Sequence, residues 1–362
     1  MAKFADVLTI KNGKNQKKVE NPKGRYPIYG SGGVMGYADD YICEANTVVI
    51  GRKGSINNPI YVEIPFWNVD TAFGLCANPT KLQPKYLYYF CENFDFEKLN
   101  TTVTIPSLTK SNLLKIEIPL PPLDEQRKIA AVLDKVSDLI AKRRQQLDKL
   151  DELVKARFVE MFGDPVSNPY HWNIKVLHRL GDCKNGINFH LTDVGVTIHC
   201  LGVGDFKNLS CVYDTSKLPT ISLEEMPSDD YMLKDGDIVF VRSNGNKALV
   251  GRSLVVYPAT IPTTFSGFCI RFRLHSDEVK TDYLIRVLKT DSIRKKMVGK
   301  GANIQNLNQK MLGELHIPVP PLELQNQFAI FVKKTEKIKS TISNSLEKLE
   351  TLKKALMQEY FK

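Results

Sequence analysis

Apolar positions along this chain fall into two kinds of pattern that alternate and then recur. The run Thr47-Val48-Val49-Ile50 is β-branched and uninterrupted, which predicts a buried strand. Phe66 to Leu75 reads as a second strand, and Tyr26-Pro27-Ile28-Tyr29-Gly30-Ser31-Gly32-Gly33-Val34-Met35-Gly36-Tyr37 as a turn-rich stretch with aromatics at its borders. From Pro84 to Phe96 the period changes. Tyr86, Leu87, Tyr89, Phe90 and Phe94 recur at helical spacing. Beyond Pro121-Pro122 the same period lengthens through Ile129, Val132, Leu133, Val136, Leu139, Ile140, Leu147, Leu150, Leu153, Val154, Phe158 and Met161. No Gly or Pro interrupts it before Gly163-Asp164-Pro165, so the pattern predicts one helix of about 38 residues, roughly 57 Å long. Asp124 and Glu125 stand in its first turn, where the helix dipole favours negative charge.

The succession then starts again. A strand is predicted at Asp237-Ile238-Val239-Phe240-Val241 and a helix from Asp282 to Met297. A second long helix carries the stripe Phe328, Phe331, Val332, Ile338, Ile342, Leu346, Leu349, Leu352 and Leu356. Residues 105–162 align without a gap on residues 304–361, a shift of 199, with 19 of 58 positions identical. The shared positions include the Ile-Pro-x-Pro-Pro-Leu corner at 118–123 and 317–322, and Gln126 with Gln325. A repeat held in register over this length is a duplicated module. Asp182-Cys183-Lys184-Asn185-Gly186 also echoes Lys11-Asn12-Gly13, and Arg242-Ser243-Asn244-Gly245-Asn246-Lys247 follows its strand as Gly51-Arg52-Lys53-Gly54-Ser55 follows the first. The expected organisation is α+β. A head at 1–118 precedes a proline corner with a long helix at 119–162, and a second head at 163–317 precedes a second corner and helix at 318–362. Two long helices of like pattern are expected to pair antiparallel about a pseudo-twofold axis, as a coiled coil carrying one head at each end.

Composition narrows the class little: 43% hydrophobic and 25% charged residues describe an ordinary globular chain. No run is long and apolar enough to span a membrane, and the opening Met1-Ala2-Lys3-Phe4-Ala5-Asp6 predicts no signal peptide. Seven scattered cysteines, with no CxxC pair, predict reduced thiols in a cytoplasmic protein rather than a zinc site or a disulfide framework. The net charge of +10 fits a nucleic-acid partner and is spread along the chain rather than gathered in a tail.

Catalytic signatures are weak. Asn58-Pro59-Ile60-Tyr61 lacks the second proline of an amino-methyltransferase motif. The glycines from Gly30 to Gly36 have the wrong spacing for a dinucleotide loop. No GxxxxGK[ST] loop is present. Glu278-Val279-Lys280 with Asp229 or Asp230 makes only a chance-level nuclease pattern, and the six histidines form no metal spacing. No catalytic residue and no metal ligand is expected in this chain.

The doubled Ile-Pro-x-Pro-Pro-Leu-x-x-Gln signature before each long helix resembles the specificity subunits of Type I restriction–modification systems. The junction Phe162-Gly163-Asp164-Pro165 with Asn168-Pro169 and Trp172 is similar to the segment that opens such a family's second target-recognition domain. Tyr26-Pro27-Ile28-Tyr29-Gly30 and Gly51-Arg52-Lys53-Gly54-Ser55 also look like recurrent recognition-domain sequence. The resemblance covers essentially the whole chain. It implies two recognition domains, each reading one half of a split, asymmetric double-stranded DNA target. It also implies helices that act as ruler and as dock for two modification subunits. S-adenosylmethionine, ATP and Mg would be bound by the modification and restriction subunits and not by this chain. Leu324 and Asn326 stand where the first copy has Glu125 and Arg127, so the two docks need not be equal. Two other classes compete: a coiled-coil scaffold with protein-binding heads, and a self-contained DNA methyltransferase or nuclease.

Bases are read by paired donors and acceptors or by apolar contact, and phosphates by cations, hydroxyls and backbone amides. On that ground the candidates in the first head are Tyr29, Ser31, Arg52, Lys53, Ser55 and Asn57, with Thr104 and Ser107 before the first corner. In the second head they are Arg242, Ser243, Asn244, Asn246 and Lys247, with Lys300, Asn303, Gln305 and Asn306 before the second corner. For the helix pair or its partners the candidates are Ile129, Val136, Leu150, Leu153, Phe328, Ile338, Leu349 and Leu352.

Overall fold

The computed structural model describes residues 1–100, 107–190, 194–206, 211–298 and 306–362. The chain divides into two compact units, residues 1–146 with 341–362, and residues 147–340. Each unit contains one head, the start of the long helix that follows it, and the end of the other long helix.

In the first unit, four strands form an antiparallel sheet in the order Leu8–Asn12, Ala72–Ala77, Thr47–Gly51, Ile60–Val62. A second sheet places Tyr26–Gly30 between Gly33–Ala38 and Trp67–Asn68. In the second unit, Gly181–Asn185, Cys269–Leu274, Asp237–Val241 and Ser253–Val256 take the same order, and Cys211–Val212 adds a fifth, parallel strand. Its second sheet sets Val196–Leu201 between Thr220–Leu223 and Thr263–Phe265. Even the register repeats: Val48 faces Leu75 as Ile238 faces Phe272, and Gly51 faces Ala72 as Val241 faces Cys269. The central strands Thr47–Gly51 and Asp237–Val241 are buried at every position, which explains their unbroken apolar runs.

Two expected elements are corrected. Phe66 to Leu75 is not one strand. Trp67–Asn68 and Ala72–Ala77 belong to different sheets, and the Ala72 N–H returns to the Val69 carbonyl (3.0 Å) across the turn between them. The helix expected from Asp282 to Met297 breaks at Thr290, which takes an extended ψ of 144° while its Oγ1 donates to the Val287 carbonyl at 2.7 Å. A hydroxyl that satisfies the backbone locally competes with helix continuation.

The first long helix is Leu123–Phe162 and the second Leu322–Tyr360. In the first unit their segments run antiparallel: Arg144 pairs with Glu350 (2.6 Å), while Ile129 and Leu133 share a core with Met357. In the second unit Lys339 pairs with Asp151 (2.8 Å), and Phe158 meets Phe328 edge to face (5.6 Å). Each helix end seats on a tyrosine of the head helix, Phe361 on Tyr86 (5.0 Å) and Phe162 on Tyr283 (4.7 Å).

The proline corners repeat at atomic detail. Ile118 pairs with Ala2, and Pro318 with Ile174, in two-stranded ribbons that close each head. The Tyr86 hydroxyl donates to the Pro119 carbonyl (3.0 Å) and Tyr283 to Pro318 (2.8 Å). Gln126, fully buried, accepts from the Gln83 N–H and donates to the Lys81 and Pro121 carbonyls. Gln325, also fully buried, does the same with Lys280, Glu278 and Pro320. Proline supplies no donor, and a buried carbonyl left unpaired is costly, so each glutamine satisfies the corner that its own helix leaves behind.

The shared stripe divides by burial. Ile129, Val136 and Phe328 are buried, Leu150 and Leu349 half-buried, and Leu153, Ile338 and Leu352 exposed. Among the described residues no helix is long and apolar enough to cross a membrane.

Candidate nucleic-acid interface

Each head carries an arginine loop pinned on two sides. In the first, the N–H groups of Arg52 and Lys53 both donate to the Thr71 carbonyl (2.8 and 3.4 Å). The Arg52 carbonyl accepts from Leu108 (2.9 Å), and Lys53 bridges Ser107. In the second, the N–H groups of Arg242 and Ser243 donate to the Phe268 carbonyl (2.8 and 3.3 Å). The Arg242 carbonyl accepts from Leu307 (2.8 Å), and Ser243 bridges Asn306. Candidates drawn from distant stretches are thereby brought together: Arg52, Lys53 and Ser107 in one head, and Arg242, Ser243 and Asn306 in the other.

Local chemistry fixes the first loop. Gly51 lies so close to the folded-back chain that a Cβ there would stand 2.3 Å from the Ser55 carbonyl oxygen and 3.0 Å from Ser31 Cβ. Only glycine permits that approach. Ser31, in the turn between Tyr26–Gly30 and Gly33–Ala38, therefore borders the arginine loop. The Arg52 guanidinium rests 5.7 Å from the centre of the Phe73 ring, a cation–π contact, and is exposed. Lys53 and Ser55 are exposed as well.

Two first-head candidates also make contacts within the head. Asn57 donates from Nδ2 to Asp95 (3.0 Å) and accepts the Phe96 N–H at Oδ1 (2.7 Å), so both ends of its amide are engaged. Tyr29 is half-buried with its ring edge-to-face on Phe66 at 5.3 Å. In the second head Asn244 Oδ1 accepts the Asn246 N–H (2.8 Å), and Asn246 Oδ1 accepts that of Ala248 (3.0 Å). These side-chain oxygens shape the loop. Arg242 is half-buried, with its guanidinium donating to the Gly267 carbonyl at 3.2 Å. Thr104, Lys300, Asn303 and Gln305, and the Lys247 side chain, lie outside the described residues.

Sequence reading passed over Phe268, which is 62% exposed and lies beside Arg242. The available signal was its place in Ser266-Gly267-Phe268-Cys269, a turn between two strands. It also passed over Val34 and Met35, exposed on the hairpin strand that follows Ser31.

The polar interiors of the heads differ at matching positions. In the second head Asp237, almost wholly buried, accepts from Arg273 Nε (2.9 Å) and Nη2 (2.7 Å), and that hydrogen bonding raises the arginine pKa further. In the first head the same cross-strand positions hold Thr47 and Cys76, whose Oγ1 and Sγ lie 3.5 Å apart. The hydrogen bond with Cys43 is the main cause that draws the Cys76 thiol down to about 6, against its burial. Elsewhere in the second unit burial pushes the Lys289 ammonium down to about 8.

The helices add a second paired feature. Leu139 and Leu352 are exposed in the first unit, and Ile338 and Leu153 in the second. By the repeat, Leu139 corresponds to Ile338 and Leu153 to Leu352.

A family model, the type I restriction modification DNA specificity domain, matches residues 1–152 and again 202–351. The chain is 22% identical to the type I restriction enzyme StySPI specificity subunit of Salmonella potsdam, an alignment covering 86% of this chain and 72% of that one. It is 25% identical to the type I restriction enzyme MjaVIII specificity subunit of Methanocaldococcus jannaschii, over 86% of this chain and 75% of that one. A crystal structure of a type I restriction–modification S subunit from M. genitalium aligns with all of this chain and 95% of its own. Its TM-score of 0.63 at 18% identity is a likeness of fold. With both halves matched by one model and the same frame folded twice, the chain belongs to the type I restriction modification DNA specificity family.

Proposed function

We propose that this chain is the sequence-specific DNA-binding subunit of a type I restriction–modification complex. Each head reads one half of a bipartite, asymmetric double-stranded target. Adenine methylation and restriction are performed by modification and restriction subunits docked on it, and the chain itself is non-catalytic. The observation that carries this reading is the doubled arginine loop, held by the same backbone bonds but rimmed by different side chains: Lys53 and Thr71 in one head, Ser243 and Phe268 in the other. Backbone pinning sets position, and the changed rim gives two different base readings. The matched exposed leucines and isoleucine of the helices fit two equivalent docking sites for two modification subunits. S-adenosylmethionine, ATP and Mg belong to those partner subunits in this reading.

The test is co-expression with the candidate modification subunit in a host lacking other adenine methylation, followed by single-molecule mapping of methylated adenines. The expected result is one motif of two fixed half-sites and a constant gap, absent when this chain is omitted. Methylation unchanged by its omission would contradict the reading and favour a scaffold role.

A further inference from the structure

We propose that Phe268 is a specificity-determining residue of the second head that makes an apolar contact with a thymine methyl group in its half of the target. The inference rests on the DNA-reading role of the heads. Phe268 lies in the turn between Thr263–Phe265 and Cys269–Leu274, and its ring is 62% exposed. Exposure of so large an apolar surface is unfavourable in water, and the turn that imposes it is tightly held. The Phe268 N–H donates to Ser266 Oγ (3.3 Å), its carbonyl takes the Arg242 and Ser243 N–H groups, and the Gly267 N–H donates to the Ile187 carbonyl at 2.6 Å. A Cβ on Gly267 would stand 3.2 Å from the Ile187 carbonyl oxygen, so the turn lies directly against the Ile187–Asn188 segment. The ring is thus presented on a fixed backbone rather than left on a loose one.

Its surroundings indicate what covers it. Its carbonyl holds the backbone of Arg242 and Ser243, and Ser243 in turn bridges Asn306, so cationic and polar residues belong to the same pinned loop. An exposed aromatic on a loop that also carries an arginine suits the major groove, where thymine alone offers a methyl group and phenylalanine is among the side chains that contact it. The matching carbonyl of the first head belongs to Thr71, so the ring is a feature of one head and one half-site.

The test compares wild type and Phe268→Ala, each co-expressed with the modification subunits, by mapping methylated adenines. The expected result is that Phe268→Ala keeps one half-site intact and loses its preference for a T·A pair in the other. Duplexes of the mapped motif with single thymines replaced by deoxyuridine should then weaken wild-type binding about fourfold at that pair, the effect of one buried methyl group. The same replacement should leave Phe268→Ala binding unchanged. An unaltered motif in Phe268→Ala would overturn the proposal. So would weakened subunit assembly with an unaltered motif, which would make the ring a protein contact. If Phe268→Ala abolishes methylation, the wild-type deoxyuridine series decides: a single sensitive thymine supports the proposal, and none refutes it. Absence of any bipartite motif with the wild-type chain would instead contradict the DNA-reading role itself.

Discussion

Across the two central strands of the second head, Arg273 forms a two-pronged salt bridge with the buried Asp237, whereas the same cross-strand site in the first head holds only Thr47 against Cys76. Around these unlike pairs the strand register, the tyrosine-to-proline bond and the buried glutamine are the same. The frame is therefore set by the backbone ladder, the apolar rows and the corner hydrogen bonds. The interior polar pair and the loop rim are free to change. That division is what a recognition module requires: reading can vary while the seat on the helices stays fixed.

The largest expected effect comes from exchanging a whole head. Replacing residues 1–118 by the corresponding segment of a relative should change every position of one half-site and none of the other. Each mismatched base pair costs about 1–3 kcal/mol, so the methylated motif should switch cleanly. A change in both halves would break the modular comparison.

Next is the pair itself. Arg273→Met strands the buried Asp237 carboxylate and should destabilise the second unit by roughly 3–5 kcal/mol. Cys76→Ser in the first unit should cost far less. Chemical denaturation that resolves the two units checks this. Equal losses would show that the two interiors are equivalent after all.

Gln126→Ala and Gln325→Ala each remove three hydrogen bonds from a buried corner and should cost roughly 2–4 kcal/mol in their own unit. Here the heads are alike, and matching losses are expected.

Acidity separates them again. Cys76 has a folded pKa of about 6 below its usual 9.0, so its contribution is present above pH 9 and lost as pH falls through 6. Lys289 is depressed to about 8 from 10.5. Lys289 therefore adds stability to the second unit as pH rises above 8, and above pH 9 this is opposed by Cys183, Cys200 and Cys211, whose thiols burial pushes up to about 12, 12 and 11. Native-state alkylation of Cys76 by iodoacetamide, with a midpoint near pH 6, gives a direct reading. A midpoint near 9 would remove the thiolate from the account.

Much of this architecture was legible from periodicity. The long helices showed because a 3.6-residue stripe without Gly or Pro has few competing readings, and the duplication showed because Gln126 and Gln325 keep their offset from the proline corners. The division of Phe66 to Leu75 between two sheets was passed over, although the polar Asn68, Asp70 and Thr71 interrupt the apolar run and Asp70 and Thr71 are exposed at the turn. The role of Asn57 was not legible, since its two partners lie at Asp95 and Phe96, brought close only by the tertiary fold. Phe268 was passed over too, and it is the turn geometry that turns the ring outward.

The most direct measurement compares Arg52→Ala with Arg242→Ala, each co-expressed with the modification subunits and read out as methylated-adenine maps. Each variant should relax one half-site and leave the other unchanged, and the relaxed halves should differ. Relaxation of the same half by both, or a uniform loss of methylation with the motif intact, would contradict the reading of one half-site by each head.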